Sequence, residues 1–523
     1  MRRLVLLALF GFALLWAQFR ESGDPQLHAR LELTIDPLLP ARVYLFKDGQ
    51  PFRFSPIEAV LALHVDRFYR ERLWTNSPSP DTLEVTCNEQ SHFFLLKGRG
   101  SYNLPQGHYR VEAYRGLFYT PAIAEFDLRA GETRRQVLKL EDWTGGASKD
   151  WISGDDHIHI TRSRADDDVF LSWLQAEDLQ VGNFLQLQRQ MDAGVQYAFG
   201  PKGEARRAGY SIRPGHESRS AVFGHIAILG GREMLRPLSV GADLSNTSDL
   251  YPFPLALFDR GRSVGATVGF AHFNGSTAQN TMLMDLVLGR LDFIEVFQFG
   301  VLKSREWYEL LNAGYPVTGI AGSDFPVPLS NMKPWPRWLP LLGPERTLVK
   351  ARATGSPYDA WATGVRSGNV VVSNGPLLEM QIDKATGAAT ASASFFRPLT
   401  NLEIVSNGVV IGSVKGDGAR TKLTVSTQVK CEESCWVAAR TVAKKNDGEP
   451  DIQAHTNPVY LPVDGKPVMV RAARESLSKQ WEAQLARYKS ASLPFQDDVR
   501  RREFFDNGDR ALNELRRPLA VAK

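Results

Sequence analysis

The sequence predicts a multi-domain protein in which a central α/β segment lies between two all-β modules and a helical tail closes the chain. Short alternating apolar and polar runs fill residues 27–141 and return at 374–462. Between them, strand-like runs alternate with amphipathic helical ones, which argues a parallel sheet with crossover helices, open or closed into a barrel. At 523 residues the chain has room for three or four domains of roughly 150 residues each. Hydrophobic residues make up 43% and charged ones 23%, which is ordinary globular usage and excludes wholesale disorder or a multi-span membrane protein. With 62 basic and 58 acidic side chains, the near-neutral balance gives no electrostatic reason to expect a nucleic-acid partner.

The chain opens with MRRLVLLALFGFALLWAQ. Two arginines precede an apolar run from Leu4 to Ala17, too short for a span of about 20 residues and suited to a secretory signal. Residues 1–17 are therefore expected to be a signal peptide and the rest to be exported, to a periplasm or beyond the cell. No later stretch is apolar enough to span. Residues 18–146 read as a β-sandwich, from runs such as LELTID, TLEVTC and SHFFLLK separated by turn residues. Its end, GHYRVEAYRG followed by FDLRAGETRRQVLKL, resembles a carboxypeptidase-regulatory-like or immunoglobulin-like module.

Residues 147–372 form the central α/β segment. Its strand candidates include WISGDDHIHI, HIAILGG and LDFIEVFQFG, and its helix candidates DDDVFLSWLQAEDLQ and KSREWYELLNAG. Residues 373–464 revert to short strands and predict a second β-sandwich. Residues 465–523 form the tail, where Leu477, Trp481, Leu485 and Tyr488 recur at helical spacing and mark a face that packs on a preceding domain. Cys431 and Cys435 bracket Glu-Glu-Ser between two strand-like runs, so a disulfide across a hairpin end is expected in an oxidising compartment. Cys87 reads as a buried small hydrophobe.

The central segment carries the chemistry. His157 and His159 sit two apart in SGDDHIHI, so on a strand both imidazoles point to one side and can grip one metal ion. Asp155 and Asp156 stand beside them as ligands or as groups that orient an imidazole. His225 opens a strand-like run, while His272 and Asp324 each close one. Steps of one or two βα units let these residues converge on one rim. Glu217 is placed to bridge two ions or carry a proton, and His216 reads as structural. Zinc or manganese, one or two ions, suits these nitrogen and oxygen donors.

These motifs, with AEDL, AHFNG, AGSDF, RSGNVVVSNGPLL and HTNPVYLPVDGKPV, resemble the CehA/McbA-like metallohydrolases, a branch of the PHP (polymerase and histidinol phosphatase) superfamily. The resemblance covers residues 95–465. It implies a distorted (β/α) barrel of PHP type, a metal centre, and hydrolysis of an ester, carbamate or phosphoester. His157, His159, Glu217, His225, His272 and Asp324 match its metal positions, with Glu217 and Asp324 as proton carriers. Two features depart from the pattern. The family's Asp-His pair after the first helix is replaced by VGNFLQLQ, and no histidine follows Asp324, whose neighbours are Phe325 and Pro326. With those residues missing, the resemblance implies a mononuclear or dinuclear centre rather than a full trinuclear one, and either is chemically sufficient.

Around the centre, Arg162 is a candidate for holding an anionic substrate group. Trp335 and Trp338, in the proline-rich NMKPWPRWLPLLGP, are candidates for a wall against an apolar one. The expected partner is a small-molecule substrate. Two other readings stand beside the hydrolase: an amidohydrolase-type enzyme, and an exported binding or scaffold protein with a degenerate barrel.

Overall fold

The computed structural model describes residues 28–54, 62–66, 71–87, 91–188, 191–241, 247–273, 280–327, 336–351 and 355–517. The expected signal peptide and Trp335 lie outside them. The chain divides into two compact units, residues 1–63, 72–115 and 120–141 in one, and 64–71, 116–119 and 142–523 in the other.

In the first unit, the strand His28–Asp36 pairs antiparallel with Arg99–Pro105 and parallel with Thr133–Lys139. Alternation places Leu31, Leu33 and Ile35 in the core, while Glu32 between them is only partly covered. A larger sheet runs in the order 122–128, 107–114, 40–47, 91–97, 82–87 and 71–79. Cys87 is buried there.

The second unit is organised by one continuous sheet. The strand Trp151–Ile158 pairs parallel with Val181–Gln188, which pairs parallel with Tyr210–Ser220. There the direction reverses: Tyr210–Ser220 is antiparallel to Gly224–Leu229, and that strand is antiparallel to Thr267–Phe270. Two more parallel steps follow, to Phe293–Gln298 and Thr318–Ala321. On the other side, Trp151–Ile158 is antiparallel to Arg346–Lys350, which leads through Val370–Ser373 to Ile452–Thr456 and Cys435–Ala443.

The expected (β/α) barrel followed by an independent C-terminal sandwich does not hold. Such a barrel needs every strand parallel to the next, with a crossover of a dozen or more residues between them. Only Ala221, Val222 and Phe223 separate Ser220 from Gly224, so those strands can only form a hairpin. The protein is predominantly strand, and its central sheet is mixed. The sheet also runs past residue 373. Strands read as a separate C-terminal sandwich join it, and Leu377–Ile382, Ala388–Ser394 and Lys422–Gln428 form a three-stranded sheet of their own.

Cys431 and Cys435 are disulfide-bonded. They do not close a hairpin, because the strands on either side belong to different sheets. The helix candidates fold as Asp167–Ala176 and Ser304–Asn312. The tail forms the helices Arg471–Ser490 and Asp498–Arg516. Leu477, Trp481, Leu485 and Tyr488 are all buried in one cluster with Trp307, Leu310 and Leu311. No described helix is long and apolar enough to cross a membrane.

Candidate metal centre

Strands carry His157, Glu217 and His225 of the site, and the loops that follow strands carry His159, His272 and Asp324. Asp155 is fully buried and accepts from the backbone N–H groups of His157, Ser323 and Gly343. One carboxylate thus ties the histidine strand to the loop that carries Asp324. Gly322 has to be glycine for this closeness, since a Cβ there would lie 2.2 Å from Asp156 Oδ1. Asp156 is buried with neither carboxylate oxygen hydrogen-bonded among the described residues. Burial, with Glu295 nearby, raises its pKa well above the usual carboxylate range.

Six side chains expected at the site come together. His157 Nε2 lies 3.0 Å from His159 Nε2. Asp324 Oδ1 is 3.5 Å from the first and 3.3 Å from the second. Glu217 Oε2 is 3.8 Å and 3.3 Å from the same two nitrogens. The other carboxylate oxygens face the remaining histidines: Glu217 Oε1 is 2.9 Å from His225 Nδ1 and 3.3 Å from His272 Nε2, and Asp324 Oδ2 is 3.8 Å from His272 Nε2. Ligand atoms on a tetrahedral zinc ion with bonds near 2.0–2.1 Å stand roughly 3.3 Å apart. The donor set has that spacing.

Tautomers sharpen the fit. His159 donates from Nδ1 to the Leu185 carbonyl and His272 donates from Nδ1 to Gln298 Oε1. His157 places Nδ1 3.2 Å from Glu295 Oε1. Each ring's outward nitrogen is therefore engaged, and its Nε2 lone pair faces carboxylate oxygens. Asp324 Oδ1 is buried with no hydrogen-bond donor among the described residues, and His225 Nδ1 stands 2.9 Å from Glu217 Oε1. Lone pairs that converge without donors repel unless a cation stands between them, and neutral imidazoles held from behind are the usual form of histidine ligands. These buried His, Glu and Asp groups can hold a metal ion.

The electrostatics agree. Burial opposes the charge on Asp324, but His157 and His272 outweigh it and hold the carboxyl at about 2. Burial likewise opposes the Glu217 charge, and Arg219 and His225 keep its pKa well below normal. His157 is disfavoured as a cation by burial, yet Asp324 and Glu295 raise its pKa. Burial takes His225 down to about 4 against the pull of Glu217. The carboxylates demand positive charge, from protons or a metal.

Glu295 was not singled out by sequence. It accepts from the backbone N–H of His272 at 2.6 Å and from Gln298 Nε2 at 3.1 Å, and faces Nδ1 of His157. It orients two ligands. The available signal was a lone acid in the apolar run FIEVF. Arg219, whose Nε is 2.7 Å from Glu217 Oε2, was also missed.

Other candidates lie elsewhere. Arg162 is buried and donates to Gln196, Asp167 and the Gly203 carbonyl, so its guanidinium serves the fold. Trp338 is buried, donates to Glu449 and stacks with Arg397. His216 is buried beside the site with Nε2 unpartnered, held neutral by burial at about 3. The strand Val181–Gln188, which lacks the family's Asp-His pair, meets the centre through the Leu185 carbonyl, which accepts from His159, and through Asn183, whose amide donates to the Asp155 carbonyl.

No family model matches the chain, and no curated protein matches it. Among solved structures, PsfC from Pseudomonas syringae PB-5123 is similar over 41% of this chain and 88% of its own, at 15% identity and a TM-score of 0.26. A calcium-binding mutant of β-glucuronidase 2 from Bacteroides uniformis matches over 84% of this chain and 57% of its own, at 11% identity and a TM-score of 0.15. Neither likeness is close enough to carry an argument about fold or function.

Proposed function

We propose that this chain is an exported, metal-dependent hydrolase acting on an ester, carbamate or phosphoester of a small molecule, as the motifs shared with the CehA/McbA-like metallohydrolases suggest. The observation that carries the reading is the convergence of His157 Nε2, His159 Nε2 and Asp324 Oδ1 at one buried point, with Glu217, His225 and His272 gathered as a second group beside it. Zinc or manganese suits these donors. Glu217 and Asp324 each turn one oxygen toward the His157–His159 pair and the other toward His272. One ion would be held by His157, His159 and Asp324, and a second, if bound, by Glu217, His225 and His272.

A divalent cation bound there supplies Lewis acidity, which polarises the scissile carbonyl or phosphoryl oxygen and acidifies water. The remaining work falls to side chains. Asp324 lines the open pocket over the centre, whereas Glu217 is wholly buried beneath it and tied to Arg219. Asp324 is therefore the group placed to take a proton from an attacking water and return it to the leaving oxygen. Glu217 stays ionised and holds His225 and His272. Glu295 and Gln298 fix the ring orientations.

The test is elemental analysis by mass spectrometry on the purified chain beside a His157→Ala/His159→Ala variant. One or two equivalents of zinc or manganese in the wild type, lost in the variant, is the expected result. A folded wild-type chain that takes up no metal when metal is supplied would end the hydrolase reading. Metal without turnover on ester, carbamate and phosphoester panels would leave a binding protein.

A further inference from the structure

We infer that the pocket above the metal centre binds an anionic end group of its substrate at Lys303, so that the preferred substrates join a hydrolysable bond to an apolar body and a terminal carboxylate or phosphate. The inference rests on the hydrolase reading for its substrates, but the anion subsite can be tested without it.

The cavity holds about 410 Å³, within the range of small-molecule sites. Its lining divides into three chemistries. His272, Glu295 and Asp324 present the metal centre, Phe299 and Val301 are apolar, and Arg219 and Lys303 are cationic. Val301 is 53% exposed at this position, an apolar contact left for a ligand.

Lys303 is held in place. Its backbone N–H bonds to the Val296 carbonyl at 2.8 Å, and it caps the helix Ser304–Asn312. The hairpin just before it is pinned where Gly300 N–H donates to Glu345 Oε1 at 2.6 Å. A Cβ at Gly300 would stand 2.4 Å from Pro450, so the turn is packed from behind. Lys303 is half-buried where it lines the cavity, and it has no carboxylate partner among the described residues. Arg219, by contrast, is engaged by Glu217.

Pairing separates the two cations: Arg219 is committed to Glu217, whereas Lys303 has no carboxylate partner among the described residues. A half-buried unpaired ammonium beside an apolar wall gains most from a ligand anion, because charge-assisted hydrogen bonds are the strong ones.

The experiment is calorimetric titration of the metal-loaded full chain with inorganic phosphate and with succinate at low ionic strength, in the wild type, Lys303→Met and Lys303→Arg. Lys303→Met is expected to weaken binding of the preferred anion about tenfold, and Lys303→Arg to keep it within about threefold. Tighter binding of succinate identifies a carboxylate end group, and tighter binding of phosphate a phosphate. Equal affinity in the wild type and Lys303→Met, or no binding to the wild type, overturns the subsite. Lys303→Gln replaces Lys303→Met if the latter melts early. Metal content is measured in every variant. If the wild type holds no metal, the hydrolase reading fails, while Lys303-dependent anion binding by the metal-free chain would still uphold the subsite.

Discussion

Asp324 and His272 share a backbone state that side-chain-bearing residues seldom take, with φ of +50° and +52°. Such positions cost of order 1 kcal/mol and persist where the surroundings over-determine them. Here Asp155 fixes the loop before Asp324 through the Ser323 N–H, and Glu295 fixes His272 through its own N–H. Glu345 is another residue held against its preference. Burial raises its carboxyl to about 8, and Oε2 has no partner. An unfolded glutamate titrates near 4.3. The folded chain therefore keeps a proton that the unfolded chain loses as pH rises from about 4.3 to 8. Stability from this group is full below the lower value, falls across the window and levels off above the upper one. Glu345→Gln retains the acceptor for Gly300 and removes the titration. Its melting temperature should match the wild type near pH 4.5 and exceed it by roughly 5 °C at pH 8.5. A difference constant across that range would count against the assignment.

The strand Trp151–Ile158 does most to place the site. It carries His157, and its backbone packs against helix Pro357–Ser367 with no room between them. A Cβ at Gly154 would lie 2.3 Å from Trp361 Nε1, an atom that is buried and bonded to the Thr347 carbonyl. Gly154→Ala should therefore destabilise the protein by about 2 kcal/mol or more, as overpacking of a rigid core does. Chemical denaturation checks the value. A neutral effect would mean that strand and helix can slide apart, and that the histidines are held by the Asp155 contacts alone. Arg346 adds a second clamp, donating to the carbonyls of Gly343, Glu177 and Asp178.

Across the whole molecule, the C-terminal helices belong to the same core as the central sheet. Leu477, Trp481, Leu485, Tyr488 and Phe504 share a cluster with Ile226, Phe270 and Trp307. Trp481 donates to the Gly508 carbonyl and Tyr488 to the Val222 carbonyl, which lies in the hairpin turn just before His225. A chain ending at residue 464 should expose this surface and either aggregate or melt many degrees earlier. Solubility and scanning calorimetry of that chain decide the point. Wild-type behaviour would make the helices an appendage.

Local pattern alone made much of this legible. His157, His159, Glu217, His225, His272 and Asp324 stood out because ligand-type residues at strand ends break an apolar rhythm. The Leu477–Tyr488 stripe was visible because helical spacing is written in every turn. Glu295 escaped notice because an acid inside an apolar strand has no local signature of the histidines it orients. Arg162 reads as a substrate group in the sequence because its partners Gln196 and Gly203 are more than 30 residues away. Topology was the larger error. Alternating strands and helices suggested parallel crossovers, but pairing direction depends on which distant strand closes each edge. The sequence by itself determined where strands and helices begin and which residues offer ligand atoms, because both are set within a few residues. Only the tertiary structure decided the mixed sheet, the orienting carboxylate and the merging of tail and core, because these arise from contacts between segments far apart in the chain.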